Sequence, residues 1–334
     1  MVRLGLVGTG RIGQLHVETL LKSQIGELVG VTDLNLDAAR ACAERYGVPK
    51  VAHDVQDLLH NYDIQGLLIC SSTNTHANYC LAAANAGKHI FCEKPIDADL
   101  ARIDAVIHEV ERTGVKMMVG FNRRFDPNHR RIKQSIEQGK IGTPHLLHII
   151  SRDPAPPPLE YIKVSGGMFF DMTIHDFDMA RFLLGEVDEV YASAAVRVDP
   201  RIGEVGDVDT ALITLKFLDG SLGTIDNSRQ AVYGYDQRVE VFGSAGVLRS
   251  ENVFPDEVTL STAHSVERGL PKNFFMDRYL ASYQAELETF VRCIAEDRGT
   301  PVTAHDGRAP VVMALAAQKS LAENRPVKLS EIQP

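Results

Sequence analysis

The chain has 334 residues, 44% of them apolar and 24% charged, with a formal net charge of −9. That length exceeds one small core and suits two domains, and the composition is ordinary for a globular protein in water. The acid excess, with no basic block, argues against nucleic acid or an anionic membrane as partner, and no apolar run reaches the length of a membrane span.

In chain order, "MVRLGLVGTG" runs straight into a strand and a glycine turn, without the apolar core and cleavage site of a signal peptide. The five cysteines, Cys42, Cys70, Cys80, Cys92 and Cys293, are scattered and form no C-x-x-C pair. They read as reduced thiols, so a cytoplasmic protein without disulfides or a zinc site is expected.

"RLGLV" predicts a first strand, followed by a helix to Lys22. "ELVGVTD" predicts a second strand, and "DAARACAERYG" a helix ended by Gly47. "GLLICSS" is a third strand, followed by the helix "HANYCLAAANAG" with Gly87 as its stop. "KHIFCEKP" is a strand broken at Pro95, "DLARIDAVIHEVERTG" a helix and "VKMMVGF" a further strand. Apolar strands separated by amphipathic helices predict an α/β domain over 1–121, a doubly wound parallel sheet covered on both faces.

After Asn122 the pattern changes. A helix is predicted from Pro127 to Gln138, then the strand "PHLLHIISRD", then an extended proline loop, "DPAPPP". Residues 166–185, "GGMFFDMTIHDFDMARFLLG", read as one helix with Asp171, His175, Asp178 and Phe182 on one side and Ile174, Phe177 and Leu184 on a neighbouring apolar stripe. From Val187 to Ser261 the segments "DTALITLKF", "SLGTIDNS" and "QRVEVFGS" are β-rich, and Asp219-Gly220 is a hairpin signal. Two helices, Asp277 to Asp297 and Gly307 to Asn324, close the chain. Residues 122–334 should therefore form an α+β domain with a large, open, mostly antiparallel sheet, one face on helices and the other solvated or buried against another subunit.

Gly8, Gly10 and Gly13 have G-x-G-x-x-G spacing between a predicted strand and helix. In that context Gly8 serves the tight turn, Gly10 the approach of a pyrophosphate and Gly13 close helix–strand packing. Thr9, Arg11 and Ile12 complete the cofactor loop. Asp33 ends the second strand, where a carboxylate accepts from an adenosine ribose and repels a 2′-phosphate. Leu34 and Asn35 follow it, with no arginine, which favours NAD over NADP.

Glu93, Lys94 and Pro95 stand at a strand end, where ligands of open α/β sheets bind. Lys94 reads equally as a cation for the crevice or as an exposed lysine. Ser71, Thr73, Asn74 and His76, past another strand end, are cofactor-rim residues or a helix cap. The Asp171/His175/Asp178 face has three readings: a hydrogen-bonded polar or core cluster, a metal site, or a general base with its orienting carboxylate. Without H-E-x-x-H or a cysteine cluster no metal is expected; the other two readings stay open.

Five stretches, "GLVGTGRIGQLH", "SSTNTHANYCLAAANAGKHIFCEKP", "VGFNRRFDP", "SRDPAPPPLEYIKVSGGMFFDMTIHDFDMARFL" and "NSRQAVYGYDQRVEVFGSAG", make the chain resemble the glucose–fructose oxidoreductase / inositol dehydrogenase family over essentially its whole length. The proline-to-helix and Y-G-Y-D-Q segments are most similar to its inositol 2-dehydrogenase group. The resemblance implies a Rossmann domain followed by an α+β domain whose sheet makes a dimer or tetramer. It implies Lys94, Asp171 and His175 as the catalytic trio, and Asn122, Arg123, Asp178, Tyr233, Tyr235 and Tyr283 as the polyol pocket. The implied reaction is NAD-dependent oxidation of myo-inositol to its 2-ketone. A family dehydrogenase for scyllo-inositol, a hexose or a glycoside is the near alternative. A non-catalytic NAD sensor is the distant one.

Overall fold

The computed structural model describes residues 1–333. They pack as two units, residues 1–125 with 281–311, and residues 126–280 with 312–333. The sequence pattern placed 281–311 in the second domain; these residues instead pack with the first. No periodicity marks such a return, because an amphipathic helix does not say which core it joins.

In the first unit, β1 (Val2–Val7), α1 (Arg11–Ser23), β2 (Gly26–Thr32), α2 (Leu36–Tyr46), α3 (Val55–Leu59), β3 (Gly66–Ile69), α4 (Thr73–Asn85), β4 (His89–Glu93), α5 (Leu100–Thr113) and β5 (Met117–Gly120) follow in order. The strands form a five-stranded sheet, β2-β1-β3-β4-β5, with every pair parallel. Leu4, Leu6, Leu67, Leu68, Ile90, Phe91, Met118 and Val119 have no exposed surface, as expected where helices cover both faces. The edge at β5 is closed by the returning chain: Val119 N–H donates to Val302 O at 3.0 Å, and Thr300 Oγ1 to Met117 O at 2.5 Å.

The second unit contains α6 (Pro127–Glu137), β6 (Pro144–Arg152), α7 (Leu159–Ile162), α8 (Met168–Asp171), α9 (Ile174–Leu184), β7 (Val187–Ala195), α10 (Pro200–Glu204), β8 (Thr210–Phe217), β9 (Leu222–Ser228), β10 (Asp236–Gly243), β11 (Gly246–Ser250) and the small hairpin β12 (Thr259–Ser261) and β13 (Val266–Arg268). The helices α11 (Phe275–Ala295) and α12 (Ala304–Glu323) each divide between the units, and β14 (Val327–Lys328) returns to the second. The seven-stranded sheet, β11-β10-β6-β9-β8-β7-β14, is antiparallel except at β6–β9. Along β8, Ala211, Ile213, Leu215 and Phe217 point inward and alternate with exposed Leu212, Thr214 and Lys216. The β8–β9 turn falls at Asp219-Gly220: Gly220 has φ +90°, and Asp219 Oδ1 accepts the Ser221 N–H at 2.9 Å.

One predicted element differs. Residues 166–185 are not one helix but α8 and α9, separated at Met172–Thr173. Both Met172 N–H and Thr173 N–H donate to Met168 O at 3.0 Å, and His175 N–H then returns to Met172 O at 3.3 Å. The i→i−5 bond inserts a residue into the turn, a π-type slip. Asp171 therefore ends one helix and His175 lies in the first turn of the next. Asp178 is wholly buried, whereas Phe182 lies under Lys133, whose Nζ is 5.7 Å from the ring centroid.

Asp209, which precedes β8, has no exposed surface. Its carboxylate accepts the N–H groups of Arg197, Val198 and Asp199 at 2.7, 2.8 and 3.0 Å and the Thr210 hydroxyl at 3.0 Å. Burial pushes this carboxyl up, but the four donors outweigh it and hold it below the usual aspartate range. Such a group stabilises the fold fully above its unfolded value, about 3.9, and loses that contribution as pH falls toward the folded value. Asp209→Ala should cost about 3 kcal/mol in urea unfolding at neutral pH. The gap from wild type should narrow as the pH is taken below about 4.

Candidate active site

In the first unit, parallel strands bring five chain segments to one edge of the sheet. β1 leads into Gly8, β2 into Asp33, β3 into Cys70 and Ser71, β4 into Lys94, and β5 into Phe121 and Asn122. The strand order reverses between β1 and β3, so the edge beyond β1 is the crevice in which open α/β sheets take ligands.

The glycine loop there is built by contact. Gly8 has φ +95°, and a Cβ on it would lie 2.6 Å from the Cys70 carbonyl; one on Gly13 would lie 2.1 Å from Gly8 O. Nothing lies within 4 Å of the Cβ position on Gly10. Gly8 and Gly13 thus let the chain pack on itself, and Gly10 leaves bare backbone open to a ligand. α1 begins at Gly10 with no side-chain cap and no acid in its first turn, whereas Asn35, Asp54 and Asp99 cap α2, α3 and α5. A helix N-terminus facing open backbone is a cradle for pyrophosphate.

Asp33 is already oriented beside that cradle. Its Oδ2 accepts the Thr9 N–H at 2.7 Å and the Thr9 hydroxyl at 3.0 Å, and its Oδ1 accepts the Asn35 N–H at 2.9 Å. A carboxylate has about four acceptor positions, so room remains for a ribose hydroxyl. Leu34 and Asn35 bring no cation to balance a 2′-phosphate. The loop and its acid fit NAD.

The other candidates of this unit divide. Ser71 Oγ pairs with Thr75 Oγ1 at 2.7 Å, and Thr73 and exposed Asn74 open α4. His76 is turned inward between the ends of β3 and β4: its ring nitrogens lie 2.8 Å from Pro95 O and 3.0 Å from Ser71 O, a neutral ring donating to one of the two, and it is not a cap. Glu93 Oε1 meets Nε2 of buried His16 at 2.7 Å, which ties β4 to α1. Lys94 is half-buried and precedes a cis bond to Pro95. Asn122 Nδ2 donates to Ser282 Oγ at 3.3 Å, Arg123 is 5% exposed, and the Tyr283 ring stands edge-on to His16 at 6.0 Å.

In the second unit, Asp171 and His175 are partly exposed on either side of the slip between α8 and α9. Asp171 Oδ1 accepts the Tyr161 hydroxyl at 2.8 Å, and Oδ2 lies 3.3 Å from Arg229 Nη1. Partial burial, with the Asp171 carboxylate beside it, raises the Tyr161 hydroxyl above the usual tyrosine range. The buried start of α9 is held separately. Thr173 Oγ1 donates to Asn227 Oδ1 at 2.6 Å, and Asn227 Nδ2 to Asp176 Oδ2 at 2.9 Å. Tyr233 donates to buried Asp236 at 2.5 Å and accepts from Arg152 at 3.2 Å, and Tyr235 packs edge-on against Tyr279 at 6.1 Å. Of the three pocket tyrosines expected from the sequence, Tyr283 thus belongs to the first unit and Tyr233 and Tyr235 to the second.

Sequence reasoning missed His16, Tyr161, Asp176, Asp207, Asn227 and Arg229. His16 lay on the buried stripe of a helix that was recognised. Arg229 sits alone in a turn, 58 residues from Asp171, where no local pattern announces a pairing.

A model of an oxidoreductase family with an NAD-binding Rossmann fold matches residues 2–121, and one of a GFO/IDH/MocA C-terminal domain matches residues 129–249. The chain is 47% identical over 332 residues to the myo-inositol 2-dehydrogenase of Thermotoga maritima, covering 99% of each. It is 44% identical over 330 residues to the inositol 2-dehydrogenase of Rhizobium meliloti, covering 98% of this chain and 99% of the other. Among solved structures, the scyllo-inositol dehydrogenase of Lactobacillus casei, with bound NAD(H) and scyllo-inositol, superposes with a TM-score of 0.93 at 30% identity, covering 99% of each chain.

The Asp33 geometry generates a direct test. Asp33→Ser should weaken NAD and narrow the ratio of kcat/KM for NAD over NADP by about tenfold or more, the worth of one lost charge-assisted hydrogen bond. An unchanged ratio would contradict the role given to this carboxylate.

Proposed function

The chain belongs to the GFO/IDH/MocA family of NAD-binding oxidoreductases, and from that membership we propose that it oxidises one secondary ring hydroxyl of a cyclic polyol, myo-inositol, to the 2-ketone. The observation that carries this reading is a dinucleotide cradle in the same chain as a partly exposed histidine preceded by a fastened carboxylate. A sensor that only bound NAD would need the first of these and not the second.

When bound, NAD supplies the hydride acceptor; the open backbone at Gly10 and the start of α1, in a loop shaped by Gly8 and Gly13, would hold its phosphates and Asp33 its ribose. His175 is the general base and takes the hydroxyl proton on its ring nitrogen. Lys94 hydrogen-bonds the reacting oxygen and stabilises its alkoxide character as the proton leaves. Asp171, occupied by donors on both oxygens, acts as an acceptor that orients a substrate hydroxyl or the imidazole, not as a proton carrier. Asp178, wholly buried, braces α9 or grips a second hydroxyl. The scyllo-inositol dehydrogenase of similar fold supports the second reading, in which the same groups act on another stereoisomer.

His175→Ala and Lys94→Ala should each lose turnover by about 100- to 10,000-fold, the usual worth of positioned acid–base or oxyanion assistance. Both should still bind NAD in a fluorescence titration. A panel of myo-inositol, scyllo-inositol, glucose and xylose with NAD or NADP, read as the absorbance of the reduced cofactor formed, separates the substrate readings. No reduction with any cyclic polyol would favour the sensor.

The proposed functional form is a homo-oligomer, a dimer or tetramer, in the cytoplasm. Support comes from the uncovered face of the seven-stranded sheet. Val247, Phe242, Leu146 and Leu222 form one cross-strand row and are 41%, 45%, 37% and 50% exposed. Contiguous exposed apolar side chains on a sheet call for a covering surface. Leu222→Lys with Phe242→Glu should shift light-scattering mass toward the monomer; an unchanged multimer would place the interface elsewhere.

A further inference from the structure

We propose that Arg229 is a positioning residue for the reaction, bridging the carboxylates at the two ends of the one-turn helix α8. The inference rests on the role given above to Asp171 and adds what holds that residue in place.

Arg229 follows β9 and has no exposed surface; its backbone N–H is anchored on Asp209 O at 2.8 Å. Its Nη1 lies 3.3 Å from Asp171 Oδ2 and its Nη2 3.4 Å from Asp207 Oδ2. Asp207 Oδ1 accepts the N–H of Met168 at 3.0 Å. Met168 is the first residue of α8, and Gly167 before it has no side chain with which to cap. Asp207 is therefore the cap of α8, supplied from a distant loop, and Asp171 is its last residue. One guanidinium fastens both ends.

Asp207 lies close against the start of α8. Gly167 has φ +85°, and a Cβ on it would lie 2.9 Å from Asp207 Oδ1. The clamp also reaches His175. Met168, held through its N–H by Asp207, offers its carbonyl to both Met172 N–H and Thr173 N–H, and that double acceptance makes the slip from which α9 and His175 start. Asp171 is thus placed directly, and His175 through Met168. A planar fork spans two separate carboxylates, whereas a lysine ammonium is a single point charge. Tyr161, 47% exposed, adds a donor to the other oxygen of Asp171 without taking part in the clamp.

The test is steady-state kinetics of the full chain with NAD and myo-inositol, alongside melting temperature and NAD affinity, for Asp171→Asn, Asp207→Asn, Arg229→Lys, Arg229→Met and Tyr161→Phe. Asp207→Asn and Arg229→Lys should lower kcat by about 10- to 100-fold, as for a displacement near 1 Å. NAD affinity should be unchanged and melting little moved. Arg229→Met should lose more than Arg229→Lys, and Tyr161→Phe less than either. If Arg229→Met does not fold, Asp207→Asn decides, because its amide oxygen can still accept the Met168 N–H. If Asp171→Asn loses turnover while folded Asp207→Asn and Arg229→Lys keep wild-type kcat, the inference fails alone. If Asp171→Asn turns over normally, the role of Asp171 fails and the inference with it.

Discussion

Parallel strands share a direction, and that shared direction is the constraint on which the first unit depends. Gly8, Asp33, Ser71, Lys94 and Asn122 reach one edge of the sheet because every strand runs the same way. In an antiparallel sheet alternate strand ends would lie on opposite edges. The price of this arrangement is burial on both faces, and the wholly buried strands meet it. A rigid apolar floor then holds flexible polar groups at a fixed rim. His16–Glu93 ties the end of β4 to α1, and His76 sits between the ends of β3 and β4.

The second unit is organised differently. Its loops are held by buried charges whose partners are backbone groups, neutral polar groups or opposite charges. Asp209 orders the 197–199 turn, and Asp236 gathers Arg238, Asn252 and Tyr233. Asp176 reaches Thr173 through Asn227. An uncompensated buried charge costs several kcal/mol, on the order of half the stability of a typical domain. Each such carboxylate therefore admits few loop conformations, which specifies irregular backbone that propensity alone leaves undetermined.

The alternation of strands and helices, the glycine loop, Asp33 and the Asp219-Gly220 turn were legible in the sequence because each is local. Its information lies within a few residues: periodicity, a required φ, or a strand–turn–helix context. The helix over 166–185 was legible in composition but not in continuity. The slip at Met172–Thr173 depends on a carbonyl accepting two N–H groups, and no residue type there demands it. Asp207 and Arg229 were invisible for a related reason. Their pairing joins chain segments dozens of residues apart, and a lone arginine in a turn reads as solvated until its burial is known. The short β14, which pairs with β7, carries too few residues to show a period.

The bonds that finish β5 have a consequence for how the protein is made. The sheet's outer edge waits for Thr300 and Val302, and Thr300 lies 183 residues beyond its partner Met117. A ribosome adding about 5–20 residues per second leaves that edge uncapped for roughly 10–40 s after β5 emerges. Throughout that interval a nascent chain in which β5 has paired with β4 presents the open outer edge of an apolar strand, the kind of edge that pairs with other chains. The N-terminal unit comes first in the sequence, yet it is completed almost last, and its exposure to chaperones and to aggregation is set by translation time.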